Sequence, residues 1–149
     1  MKYEKLYALI NANSDELDFT EFKMIHPVSD YGSLLLNLTL EKDRYKFYLN
    51  EDESTNNYER LIYTGKIKAI NTIIDCSSLY QDYFERKEFD YGKIITCAFP
   101  FIRSLFLEAD RNLKLNQKCD ALINIVASKE IDMLTTIIHK NYWEVKKYG

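Results

Sequence analysis

Residues 33–50 read SLLLNLTLEKDRYKFYLN, and the fold turns on how this stretch pairs. Leu34, Leu36, Leu38 and Leu40 alternate with Leu35, Asn37, Thr39 and Glu41, the period of a half-buried strand. Beyond Lys42-Asp43, Tyr45, Phe47 and Leu49 alternate with Arg44, Lys46 and Tyr48. A turn centred there sets Leu40 opposite Tyr45, Leu38 opposite Phe47 and Leu36 opposite Leu49. Thr39 then meets Lys46, and Glu41 meets Arg44, on a face that suits water. A slip of one residue would ruin both faces. The stretch predicts a β-hairpin, although its turn lacks the usual Asn-Gly pair.

Upstream, Tyr3, Leu6, Tyr7 and Ile10 fall at the spacing of a short amphipathic helix, and residues 17–25 predict a strand with a bulge. His26-Pro27 and the residues up to Gly32 predict a loop. Downstream the period changes to 3.6. Tyr58, Leu61 and Ile62 predict a short helix closed by Gly65, and Ile67 to Phe84 a long one. Residues 94–107 (IITCAFPFIRSLFL) are apolar almost throughout, which predicts a central helix buried on all sides, kinked or restarted at Pro100. Asn116 and Ser128 are candidate caps of two further helices, and Trp143 would dock the tail. The expected fold class is α+β in a single domain, residues 1–149: a small antiparallel sheet (residues 17–50) packed against a C-terminal helical bundle (residues 55–140).

The bulk properties fit that size. The chain has 149 residues, 46% hydrophobic and 29% charged, with only 4 Gly and 2 Pro, which is globular rather than disordered composition. The 12 tyrosines supply rings with polar ends, suited to a core or to a contact surface. Net charge is −3, so no basic excess marks a nucleic-acid binder. It is unevenly spread: residues 1–61 carry 12 acids and 7 bases, net −5, and residues 62–149 carry 11 acids and 13 bases, net +2. No secretory leader and no run long enough to span a membrane is visible, so a cytoplasmic address is expected. Cys76, Cys97 and Cys119 are an odd set without paired spacing, read as reduced thiols in the core.

Catalytic chemistry finds little footing. The four glycines are isolated, so no phosphate-cradling loop is present. His26 and His139 are the only histidines, with no spaced metal ligands around them, so no metal and no cofactor are expected. Cys119, His139 and Asp132 are the one nucleophile–base–acid set that can be composed on neighbouring helices, and nothing in their spacing specifies it. No catalytic residue is assigned and the chain is not read as an enzyme.

What remains is an acidic run, Glu51, Asp52 and Glu53, with Asp15, Glu16, Asp18 and Glu21 earlier and Tyr48 beside it as an aromatic anchor. By elimination, the expected function is non-catalytic binding of another protein. The concrete form is a bacterial immunity- or antitoxin-like inhibitor that holds a basic toxin or nuclease on this surface. Two alternatives stand beside it. One is a nucleic-acid-associated regulator using the basic tail (Lys140, Tyr142, Trp143, Lys146, Lys147, Tyr148), which the net charge disfavours. The other is an enzyme whose site depends on three-dimensional geometry alone.

Overall fold

The computed structural model describes residues 28–54, 57–87 and 89–148, the side chains of residues 58, 145, 146 and 148 excepted. The expected first helix, the strand at 17–25, His26 and the acids Asp15, Glu16, Asp18 and Glu21 lie outside the described residues. Among the described residues there are five helices: α1 (Tyr31–Asn50), α2 (Asn57–Leu79), α3 (Gln81–Arg86), α4 (Tyr91–Lys114) and α5 (Lys118–Tyr148). The same residues contain no strand. The α+β class is thereby overturned: the architecture is a helical bundle.

The predicted hairpin is one uninterrupted helix, α1. Its leucine run satisfies two periods at once. Leu34, Leu38 and Tyr45, with Glu41 between them, repeat every three to four residues and are buried. The alternate set, Leu36, Leu40 and Phe47, is left 38–51% exposed. Two local signals decide for the helix. Asp30 and Ser33 form a reciprocal capping box, with Ser33 N donating to Asp30 Oδ1 at 2.8 Å. At the supposed turn, Glu41-Lys42-Asp43-Arg44 contains good helix formers, and Glu41 pairs with Arg44 one turn later.

Gly65 does not end a helix either; α2 runs through it. A Cβ built there would lie 2.7 Å from the Ile123 carbonyl oxygen and 2.8 Å from Val126, so the glycine marks where the α2 and α5 backbones touch. Asn116 is no helix start but the left-handed residue that closes α4, with φ 60°. Gln117 N donates to Asn112 O (2.7 Å) and Asn116 N to Leu113 O (3.1 Å), the two bonds of a Schellman ending. Ser128 lies inside α5, and its hydroxyl donates to the Ile102 carbonyl (2.6 Å) rather than capping. α4 is continuous across Pro100, because Thr96, whose carbonyl loses its amide partner there, is exposed to water.

The short α4–α5 connection returns the chain antiparallel. α5 packs along both α4 and α2, α2 also touches α4, and α1 covers another side of α2. The main core gathers Leu34, Leu38, Tyr45, Ile70, Ile73, Ile94, Ile131 and Leu134, while Ile62, Leu122, Ile125 and Val126 close the α4–α5 end.

Candidate functional site

α4 is where sequence and structure part most usefully. Its apolar stretch does face the core through Ile94, Ala98, Leu105 and Ala109. It is not buried on all sides: Phe99 is 54% and Phe101 44% exposed. The surplus apolar side chains form one wall of a groove against α5. Ile95, Phe99, Ile102, Phe106 and Leu107 stand along α4, and Ser128, Lys129, Asp132, Thr135, Thr136 and His139 along α5. Two open hollows, about 600 and 540 Å³, meet at Phe99, which lines both. From Ile95 to Leu107 the wall is about 18 Å long at the helical rise per residue.

The groove's polar atoms are largely spent inside the protein. Ser128 is bound to Ile102 O, Thr135 Oγ1 donates to Ile131 O (2.8 Å), and Thr136 Oγ1 donates to Asp132 O (2.8 Å). The floor therefore offers a guest few hydrogen bonds and much hydrocarbon. Its rim is charged. Arg103, Lys129 and Lys140 are exposed, and among the described residues none of them has an ion-pair partner. Asp132 is the one acid lining the groove beside them, so the rim is net positive. At one end His139 rests between the rings of Tyr91 (6.2 Å) and Trp143 (6.0 Å), and its Nδ1 is buried without a hydrogen-bond partner among the described residues.

The residues singled out by sequence lie elsewhere. Glu51, Asp52 and Glu53 form the turn after α1, with Glu51 and Glu53 exposed. Asp52 is engaged locally, accepting from Ser54 Oγ (2.6 Å) and Ser54 N (3.0 Å), and these bonds hold its carboxyl below the usual range. Tyr48 is half-buried against Tyr63, ring centroids 5.1 Å apart, so part of its surface is already used. The composed triad is not assembled: Cys119 is exposed on the first turn of α5, and His139 lies 20 residues further along the same helix, about 30 Å away. Of the basic tail, Tyr142 is a core residue whose hydroxyl donates to Phe89 O (3.0 Å).

A second polar assembly is fully interior. Lys66 and Glu130, 2% and 1% exposed, stand 4.0 Å apart, with the Lys66 ammonium 5.2 Å from the centre of the Tyr45 ring. Burial, then the nearby Glu41 carboxylate, raises the Tyr45 phenol far above its ordinary value. Lys66 on α2 and Glu130 on α5 bring two helices together at this cluster, and neither residue lines the groove. No group of metal-ligating side chains occurs among the described residues, and no described helix is long and apolar enough to cross a membrane.

The chain matches no protein family, no curated protein and no solved structure. No relative supports the immunity- or antitoxin-type, bacterial reading, and the absence of any strand among the described residues removes the α+β frame in which it was set.

Proposed function

We propose that this chain acts without catalysis, by holding an amphipathic, acid-bearing helix of another protein in the α4–α5 groove. The observation that carries the reading is Phe99: a phenylalanine more than half exposed, shared by two hollows and flanked by cations that lack ion-pair partners among the described residues. Helix-in-groove recognition needs an apolar trough of several turns, side chains that enter it at three- and four-residue spacing, and charges at the rim that fix orientation. The wall supplies the first, its two hollows the second, and Arg103, Lys129 and Lys140 the third. The protein partner expected from the sequence is kept, but its charge is reversed. The docking surface is apolar with a basic rim, where an acidic partner fits. Three free cysteines suit a reducing, cytoplasmic setting for this work.

The test works with a partner of any identity. Random peptides long enough for five helical turns, about 18 residues, are selected against the full chain. Enriched peptides should carry apolar residues at helical spacing with acids beside them. Their binding should fall about 30-fold or more in Phe99→Glu, the loss expected of a central anchor, and survive Phe47→Glu on α1. Charge reversal at Lys129 and Lys140 should weaken binding chiefly at low salt. Selected peptides indifferent to Phe99→Glu would remove the groove from consideration. Retention of single-stranded nucleic acid by these residues, lost on adding salt, would replace a helix with a phosphate backbone.

A further inference from the structure

We propose that the outer stripe of α1 docks in the α4–α5 groove of a second copy of this chain, which rests on the groove reading above and names one occupant for it. Leu36, Leu40, Asp43 and Phe47 fall within about 60° of one another around α1. All four are exposed, while the opposite side of the helix spends Leu34, Leu38 and Tyr45 on the core. α1 thus turns outward a face with apolar residues at helical spacing and an acid among them, the kind of guest such a groove takes. The stripe is directed to another molecule by its own anchoring. α1 is held to α2, where the Tyr45 and Tyr63 rings stack with centroids 5.5 Å apart, and its outer side faces away from that contact.

Length, spacing and charge agree. From Leu36 to Phe47 the stripe runs about 17 Å at the helical rise per residue, close to the span of the groove wall from Ile95 to Leu107. Leu36 and Leu40, one turn apart, make one apolar knob, and Phe47, about two turns on, makes a second. The groove offers two hollows, with Phe99 shared between them. No base lies within the arc of the stripe; Arg44 at its edge is paired with Glu41, and the exposed Glu51 and Glu53 follow at the helix end. Arg103, Lys129 and Lys140 stand against the single acid Asp132 at the groove, so acid meets base along the contact. Each copy has one stripe and one groove, which makes the contact head to tail. Three apolar side chains make a small interface, so association is weak and concentration-dependent. A helix from another protein then competes with α1 for the same groove.

The experiment is sedimentation velocity on the full chain at low salt, from micromolar to near-millimolar concentration, under a reductant that keeps Cys119 from cross-linking copies. The parent chain should pass from monomer to larger species as concentration rises, and added salt should reverse this. Phe47→Glu removes the stripe and Phe99→Glu the groove; each alone should weaken self-association about 30-fold or more, the loss expected of a central anchor. Mixing the two variants should restore a one-to-one dimer and nothing larger, because one intact stripe then meets one intact groove. That dimer also shows that both variants are folded. Self-association that persists in Phe99→Glu would mean stripe on stripe, and persistence in Phe47→Glu would mean a different guest in the groove, such as residues 1–27 of a neighbouring copy. Either result overturns the proposal, as does a mixture that stays monomeric. A parent chain that is monomeric throughout, while selected peptides still need Phe99, would end this assignment and leave the groove reading standing.

Discussion

α5 has two long faces with opposite contents. Toward α2 it is dry and closely packed, yet it holds charge: Glu130 meets Lys66, and Gly65 lets the two backbones touch. Alongside α4 it also packs, but beside that contact runs an open groove whose wall is hydrocarbon, with Phe99 more than half exposed. A chain arranged only for stability would place these groups the other way round, since buried ions cost several kcal/mol each in desolvation and exposed rings gain nothing from hydration. The inner face sets how the helices sit, because one ammonium meets one carboxylate at one register. The outer face carries apolar area beyond what the core consumes, which is why the function is sought there.

The sharpest way to break this contrast is to remove half of the inner pair. Glu130→Ala leaves the Lys66 ammonium buried opposite a methyl group and should cost about 3–5 kcal/mol, read as a lowered urea midpoint at unchanged slope. Lys66→Met together with Glu130→Leu removes both charges and should recover most of that loss. If the double variant is as unstable as the single, the pair contributes attraction beyond its desolvation cost and the inner face is more than a register device.

Next in size is Gly65→Ala. Helix propensity alone predicts a gain of about 1 kcal/mol in an exposed helix interior. The new methyl, however, would stand 2.7 Å from a backbone carbonyl that cannot swing away. A net loss of about 1–3 kcal/mol is expected, visible as a drop in melting temperature. A gain would show that α2 and α5 can part without penalty, and would blur the distinction between the faces.

Gly65 also shows why part of the fold was illegible. A glycine after a short helical pattern reads as a stop, because the residue that permits close approach is the same one that ends helices. Only the opposing Ile123 and Val126 distinguish the two uses, and they lie some 60 positions away. The leucine run of α1 failed for a related reason. Period two and period 3.6 share Leu34 and Leu38, and the discriminating signal was the small one, Asp30 with Ser33 at the start. By contrast, the apolar run of α4, the periodic stretch around Leu122 to Val126 and the polar break at 51–54 were all legible, because each rests on local composition. The site itself was half-visible. The apolar excess of residues 94–107 was read as complete burial, whereas Arg103 and Ser104 within it mark a side that meets water. An apolar arc wider than one neighbour can cover was the available clue.

The smallest expected effect probes the seam beneath the groove. Tyr91 is fully buried at the start of α4, near His139 and Tyr142 of α5, and its hydroxyl has no hydrogen-bond partner among the described residues. Tyr91→Phe removes an unsatisfied polar atom without changing the ring and should stabilise the fold by about 1 kcal/mol at neutral pH. Burial, with Cys76 nearby as the lesser cause, raises this phenol well above its ordinary value. A raised pKa means the folded state keeps its proton where the unfolded chain gives it up. The linked stability is therefore whole below about pH 10 and lost as pH climbs beyond it, by up to about 1.4 kcal/mol per pH unit for each such phenol. Tyr45 and Tyr91 both contribute in the parent chain, so the variant should lose stability less steeply under alkali, measured by urea titration between about pH 9 and 11. An unchanged slope with lowered stability would mean that the Tyr91 hydroxyl is satisfied by water reaching in from outside. The α4–α5 seam would then be wetter than its inner counterpart, and the groove above it correspondingly deeper.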